Sequence, residues 1–336
     1  MRPPVPGPEQ IYESGKDIQR KSMSIKAKNI NIRSVNISRE KGTVKKPVSE
    51  IHLNETGVEG DAHAGNWHRQ VSLLAGESVE KFAQLAGRKI QYGEFAENIT
   101  TEGMLLYQAS PLDRFFGSDL VLEVTQIGKR CHGDSCAIFR EVGNCVMPKE
   151  GIFCRVLKPG DLKAGDTLEY IPRVYTALVI TLSDRAHAGE YEDRSGPALE
   201  KHLLAFLDEQ KWLHHIERVI IPDDEQALSA LMLDAVEREV DFVFTTGGTG
   251  IGPRDISPEV AHSIIKKEIP GIMEAIRIKY GMEKPNALLS RGVAGINDKT
   301  MIFTLPGSVK AVNEYMGEIT RSLKHMVYML HGLDTH

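Results

Sequence analysis

The chain has 336 residues, a formal net charge of −5, 41% apolar residues and 26% charged residues, and no apolar run near the roughly 20 residues that a membrane span needs. These values exclude a membrane-embedded, collagen-like or wholly disordered chain, and the length predicts about two domains of roughly 150 residues each. Residues 1–172 carry 23 Lys and Arg against 22 Asp and Glu, and residues 173–336 carry 18 against 24, so neither half is a basic nucleic-acid binder.

The opening MRPPVPGPEQ is Pro-rich and lacks the apolar core of a secretory signal, so residues 1–23 are expected to be a disordered lead and the cytoplasm the location. From Lys16 to Lys46, ten Lys and Arg, among them Arg20, Lys21, Lys26, Lys28, Lys45 and Lys46, face only Asp17 and Glu40. The expectation is a solvated tail and strand face, with a patch for anionic ligands as the alternative. Short β-type segments follow, IKAKNINIRSVNIS, DLVLEVTQIG, GIFCRVL and DTLEYIP, punctuated by Gly-Ser, Pro-Gly and Ala-Gly turns. They predict a β-rich, barrel-like domain over residues 24–172. Its clearest helix is GESVEKFAQLAG, with Val79, Phe82, Ala83 and Ala86 on one face.

A seam is expected near Pro172, and residues 173–336 form the second domain. There, TALVITLS, IERVIIP, DFVFTT and TMIFTLPG are strand-length apolar runs. GPALEKHLLAFLDEQ and EQALSALMLDAVERE carry Leu199, Leu203 and Phe206, then Leu228, Leu231, Met232 and Ala235, at helical spacing. Alternating strands and helices predict a three-layer α/β domain with a mostly parallel sheet.

The sharpest chemical signal is TTGGTGIGPRDISPE, Thr245 to Glu259, which leaves a buried strand through a Gly-rich turn into a helix. Backbone N–H groups at such a turn converge on an anion, and the helix N-terminus adds partial positive charge. It is no Walker A loop, because Gly252 is followed by Pro253 and Arg254, and Pro253 also denies the third glycine of a dinucleotide fingerprint. Ser183, Asp184, Asp193, Ser195 and Gly196 follow the first strand, Asp223 and Asp224 the second, and Pro306, Gly307 and Ser308 the last. Ligands of open α/β sheets bind outside the carboxyl ends of the strands, so these loops are expected to share one mouth with Gly247, Gly248, Thr249 and Gly250. Carboxylates beside a phosphate loop repel an anionic substrate unless a cation intervenes, which suits Mg²⁺ on Asp223 and Asp255. Arg254 is a candidate for charge on the phosphates, with a solvated loop arginine as the alternative.

The order LSDRAHAGEYEDRSGPAL, IPDDEQ, TTGGTGIGPRDISPE, LPGS resembles the molybdopterin adenylyltransferase family of molybdenum cofactor biosynthesis, from Tyr175 to the C-terminal helix. The resemblance implies a commonly trimeric α/β domain that transfers AMP from ATP to molybdopterin with Mg²⁺. Asp223 and Asp255 match the catalytic, metal-holding acids, with Asp224 as the alternative to Asp223. Ser183, Asp184 and Gly247 to Gly250 match the ligand-holding loops.

In the first half, GVEGDAHAGNWHRQVSLL, YGEFAENITTEGM and LEVTQIGKRCHGDSCAIF resemble the MOSC domain over about Ser24 to Ile171. Gly60, Asp61, His63, Arg69 and Val71 fill its first motif, Glu97 and Asn98 its second, and Cys131 its third, while Ala96 replaces an expected glycine. The resemblance implies a β-barrel that binds molybdenum cofactor or carries sulfur on Cys131, with His63, Arg69, Glu97 and Asn98 in the pocket and Lys129 and Arg130 favouring the thiolate. A structural zinc on Cys131, His132, Cys136 and Cys145 is the alternative, as are buried inert thiols, and Cys154 is expected to be buried. His68 is expected to be an ordinary structural histidine. The combined expectation is molybdenum or tungsten cofactor synthesis. Molybdopterin and ATP are its ligands, and molybdenum-insertion or molybdoenzyme-maturation proteins are downstream partners. A non-catalytic molybdopterin-binding scaffold, or a sulfur carrier whose second half only delivers cofactor, is the alternative.

Overall fold

A computed structural model of the protein describes residues 27–129 and 145–333. Their packing divides the chain into two compact units, one ending at Arg173 and the other beginning at Val174. The lead at residues 1–23 and the pair Cys131 and Cys136 lie outside the described residues.

The first unit contains β1 (Lys28–Ile37), β2 (Lys46–Val48), β3 (Glu50–Asn54), β4 (Gly57–Val58), β5 (Val71–Ala75), β6 (Ile99–Glu102), β7 (Arg114–Phe116), β8 (Val121–Ile127), β9 (Ile152–Lys158), β10 (Gly160–Lys163) and β11 (Thr167–Ile171), with helices α1 (Gly76–Ala86) and α2 (Met147–Glu150). Seven strands in the order β11-β7-β8-β9-β5-β6-β1 form a closed barrel, because β1 pairs back onto β11 from Lys28 opposite Tyr170 to Asn31 opposite Thr167. Closure leaves the ring without a free edge. Only β5 and β6 of the ring run parallel, and α1 supplies their crossover. Ile30, Leu53, Leu73, Ile99, Phe115, Leu122 and Leu168 fill the barrel, and Val79 and Phe82 of α1 join Leu74, Phe95 and Phe153 in a second cluster.

Two local expectations are modified. Lys45, assigned to a solvated face, is 3% exposed and pairs with buried Asp61, whereas Lys28 and Lys46 are exposed as expected. Arg20, Lys21 and Lys26 lie outside the described residues. Ala96 adopts a left-handed φ of 63°, so the turn survives without the glycine the motif calls for. A Cβ in that region costs roughly 1–2 kcal/mol, partly offset by the greater chain entropy of glycine. Ala96→Gly should therefore stabilise the first unit by about 1 kcal/mol, read as a higher denaturant midpoint; an unchanged or lower midpoint would show that Ala96 sits there without strain.

The second unit contains β12 (Val174–Leu182), β13 (Leu213–Ile221), β14 (Phe242–Thr246), β15 (Lys267–Glu268), β16 (Ala294–Asn297) and β17 (Thr300–Leu305). Its helices are α3 (Asp184–His187), α4 (Ser195–Glu209), α5 (Glu225–Glu237), α6 (Ser257–Ile264), α7 (Pro270–Gly281) and α8 (Val309–Leu330). The sheet order is β13-β12-β14-β17-β16-β15, with the first four strands parallel and the last two antiparallel. Every residue of β14 and β17 is buried, as strands covered on both faces require. Helix α4 packs on α8 and α5 on α6, giving three layers. The antiparallel edge and α7 have no counterpart in the sequence expectation. No helix among the described residues is long and apolar enough to cross a membrane.

Candidate functional site

In the second unit, four strand ends deliver the candidate loops. Ser183 follows β12 and caps α3, its Oγ accepting from the Ala186 N–H at 3.2 Å. Asp184 accepts the Asp223 N–H at 3.1 Å through Oδ1 and pairs with Arg254 through Oδ2. One carboxylate thus joins the end of β12 to the loop after β13 and to the Gly-rich loop. Burial pushes the Asp223 carboxyl above its ordinary range, and the charges of Asp184 and Asp255 add to this against the opposing pull of Arg254. Asp224 points elsewhere and caps α5, accepting the Ala227 N–H at 2.7 Å. The two candidates of the Asp-Asp pair are thereby distinguished: one faces the carboxylate cluster, the other holds a helix end.

The loop after β14 is built by close approach. Gly247 has φ 106°, and a side chain there would collide with the Leu182 carbonyl oxygen. A Cβ on Gly307 would lie 3.3 Å from Gly247 Cα, so the loop after β17 packs against the same turn. Asp255 folds back on the loop and accepts the Gly252 N–H at 2.7 Å, leaving a Cβ at Gly250 only 2.8 Å from its Oδ2. Thr249 is buried, Thr246 donates to the Pro306 carbonyl at 3.0 Å, and Ser308 caps α8. Asp193 accepts from Thr181 Oγ1, Ser195 Oγ and the Gly196 N–H at 2.9, 3.1 and 3.0 Å, so these three expected ligand residues tie the start of α4 to β12.

In the first unit, a cavity of about 120 Å³ is lined by His63, Trp67, Arg69, Asn98, Lys129 and Phe153 among others. His63 and Arg69 of the first motif and Asn98 of the second line it, whereas Glu97, expected in the pocket, is fully buried behind the lining. Asn98 Oδ1 accepts from the Ser72 N–H and Oγ at 3.1 and 2.9 Å, and its amide donates to the Asn36 carbonyl. Asp61 accepts from Lys45, from the Ser38 N–H and from the His63 N–H, and lies 3.4 Å from His63 Nδ1. Burial pushes the Asp61 carboxyl up, but His63, Lys45 and these N–H groups outweigh it and hold the group well below the usual carboxylate range. Glu97 has no such cation in contact. Its Oε1 accepts from the Gly93 N–H and Thr100 Oγ1 while Oε2 has no partner, and burial pushes its carboxyl up to about 7. His68 lies outside the lining and meets Gln126 at 3.0 Å. Cys154 is fully buried in β9, where desolvation raises its thiol, while Cys131 lies outside the described residues. Among the described residues no group of three or more His, Cys, Asp or Glu is arranged to hold a metal ion.

Residues 178–325 match a family profile described as "Probable molybdopterin binding domain", and residues 60–169 match the MOSC domain. A molybdopterin adenylyltransferase from Helicobacter pylori strain J99 is 34% identical over 155 residues, which is 46% of this chain and 86% of that protein. The chain belongs to the molybdopterin adenylyltransferase family. That of Escherichia coli K12 is 32% identical over 156 residues, 46% of this chain and 77% of its own. Gephyrin from Dictyostelium discoideum is 33% identical over 160 residues, 46% of this chain, and the match spans only 22% of its length. A solved structure of a tungsten cofactor synthesizing protein from Pyrococcus furiosus is 33% identical, covering 48% of this chain and 99% of its own, with a TM-score of 0.42.

One residue of the adenylyltransferase-family loop escaped the sequence reading. Arg291 donates from Nε to the Gly250 carbonyl at 2.6 Å and from Nη2 to the Asp255 carbonyl at 2.8 Å, while Nη1 pairs with Glu259. Its own N–H bonds to the Thr249 carbonyl at 2.9 Å. A planar fork suits three acceptors at once; an ammonium does not. No local spacing announces this, since Arg291 reaches the loop from 41 residues downstream.

Two measurements follow from these sites. Arg291→Met should speed amide hydrogen exchange across Thr249 to Asp255 by at least about tenfold, roughly 1.4 kcal/mol of local opening, with Arg291→Lys recovering part of the protection. Exchange unchanged in the Met variant would remove Arg291 from the loop's support. For Glu97, the folded carboxyl near 7 exceeds an unfolded value of about 4.5, so the folded state holds the proton more tightly. Its contribution is fully present below about pH 4.5 and declines by about 3 kcal/mol as pH rises through 7. Glu97→Gln should lack that decline, so the stability difference between the two chains should change by about 3 kcal/mol as pH rises from 4.5 through 7; parallel stability profiles would show an ordinary Glu97.

Proposed function

We propose that the second unit transfers AMP from ATP to the terminal phosphate of molybdopterin, and that the first unit binds molybdenum or tungsten cofactor or carries sulfur on Cys131. The observation that carries the first part is the carboxylate cluster at the Gly-lined strand ends. Asp184 and Asp255 both lie within electrostatic reach of Asp223, with Arg254 as counter-charge to Asp223 and Asp184. A surplus of negative charge beside a loop suited to phosphate fits a divalent cation and phosphate oxygens together, not phosphate alone. Asp223 and Asp255 would hold Mg²⁺, which when bound would neutralise charge on the phosphates.

The chemistry asks for positioning above all. An oxygen of the pterin phosphate attacks the α-phosphorus of ATP, the bond from that phosphorus to the bridging oxygen breaks, and pyrophosphate leaves. The nucleophile is already an anion, so no side chain must first take a proton from it. Backbone groups of Gly247 to Gly252, held by Ser257 at Gly247, Arg291 at Gly250 and Asp255 at Gly252, would align the phosphates, and Arg254 faces the same charge from the loop's exposed side. A non-catalytic scaffold on the same fold has little use for paired carboxylates at this edge, which favours turnover.

The test is incubation of the purified chain with molybdopterin and MgATP, following adenylylated pterin and pyrophosphate by chromatography. Asp223→Asn and Asp255→Asn should each lower the rate at least about tenfold, about 1.4 kcal/mol of barrier. Asp224→Asn, which keeps an N-cap acceptor, should leave it within about twofold. No product from the unaltered chain, or equal rates in all variants, would overturn the reading.

A further inference from the structure

The cavity of the first unit has a charge pattern that the reading above does not use. Arg69 and Lys129 both line it, and among the described residues no carboxylate lines it and neither cation has an ion-pair partner. An arginine and a lysine lining one small space favour an anionic occupant over a neutral one. The neutral polar groups nearby are already committed: the Ser72 hydroxyl donates to Asn98 Oδ1 and the Ala96 carbonyl, and the Asn98 amide donates to Asn36. His63, also in the lining, lies 3.4 Å from Asp61 through Nδ1, which leaves Arg69 and Lys129 as the lining side chains with a permanent charge. The Arg69 guanidinium is flanked by the Trp67 ring at 4.8 Å and the Phe153 ring at 5.9 Å. Its Nε is buried with no partner. Aromatic flanking fixes the plane of the guanidinium and leaves its N–H edge as the available donor set.

Size narrows the occupant. At about 120 Å³ the cavity is below the roughly 300–1,000 Å³ of pockets that bury a ligand of drug size. A fork of donors from Arg69 and a point charge from Lys129 in the same lining match a compact oxyanion. We infer that this cavity binds a doubly charged tetrahedral oxyanion, held by Arg69 and Lys129 with Trp67 fixing the guanidinium. The group is either a free inorganic anion of the molybdate, tungstate, phosphate or sulfate kind or the terminal phosphate of a larger ligand. The inference deepens the proposed role of the first unit and does not depend on adenylyl transfer by the second.

The full chain is titrated with sodium molybdate, tungstate, sulfate and phosphate in separate calorimetric runs, with tryptophan fluorescence as a second readout. Trp67 lines the cavity and is 39% exposed, whereas the other tryptophan, Trp212, is buried and stacked at 4.1 Å on Tyr175, so a change in emission reports on the first unit. The expected result is one site per chain with a fluorescence change. Lys129→Met and Arg69→Gln should each weaken it at least about tenfold, and circular dichroism should show both variants folded. Competition by molybdopterin identifies a bound terminal phosphate as the occupant, and absence of competition identifies the free anion; either supports the site. Asp223→Asn, which removes transfer, should keep the same oxyanion affinity, so failure of the transferase reading leaves this one standing. No binding of any of the four anions at millimolar concentration, or binding equal in both cavity variants, would overturn the inference.

Discussion

The parallel register of four strands is the constraint on which the second unit's chemistry depends. Thr181 of β12 lies opposite Ile220 of β13 and Thr246 of β14, and Thr246 lies opposite Leu305 of β17. The strands therefore end together, and the loops that begin at Ser183, Pro222, Gly247 and Pro306 leave from one edge. An antiparallel order would scatter them to both edges. Parallel pairing demands crossovers, which α4 and α5 supply, and burial on both faces, which apolar β14 and β17 satisfy with contacts such as Phe244 stacked on Phe303 at 4.9 Å. The same packing that stabilises the sheet thus assembles a site from residues more than 120 positions apart.

The first unit solves a different electrostatic problem twice, with opposite results. Asp61 and Glu97 are both buried carboxylates. Asp61 gains Lys45, His63 and two backbone N–H donors, and stays ionised. Losing one partner of such a pair strands the other charge and typically costs about 3–5 kcal/mol. Glu97 receives hydrogen bonds on one oxygen only and is driven toward its neutral form. Both sit on turns that carry cavity-lining neighbours, His63 beside Asp61 and Ala96 and Asn98 beside Glu97. Charge pairing and backbone capping thereby decide where the lining side chains stand.

Much of this was legible in the chain. The β-type segment IKAKNINIRSVNIS holds β1, strand-length apolar runs marked β12, β14 and β17, and helical spacing of Leu228, Leu231, Met232 and Ala235 marked the buried face of α5. Barrel closure was expected in kind, but which strands pair was not, because pairing depends on contacts between β1 and β11 that lie about 140 residues apart. Lys45 reads as one more charge in a basic run until Asp61 is placed against it. Asp223 and Asp224 are equivalent as letters; only the start of α5 assigns one to a helix cap. Arg291 has no periodic or motif signal, since its acceptors are backbone carbonyls, which sequence does not distinguish.

The two candidate sites handle negative charge by opposite means. The strand-edge site presents carboxylates, and in the proposed function their negative charge would oppose a phosphate unless a divalent cation bound with it, making occupancy conditional on two components. The cavity of the first unit has Arg69 and Lys129 in its lining and, among the described residues, no lining carboxylate, so the inferred oxyanion would need no second component. Screening separates them further: Arg254 and Asp184 are both substantially exposed, and a bridge of that kind is worth little in salt, while Arg69 is held between two rings with its Nε buried. On the proposed function and the inferred oxyanion site, ligand exchange at the first would be governed by a divalent cation, and at the second by direct competition among anions of matching size and charge.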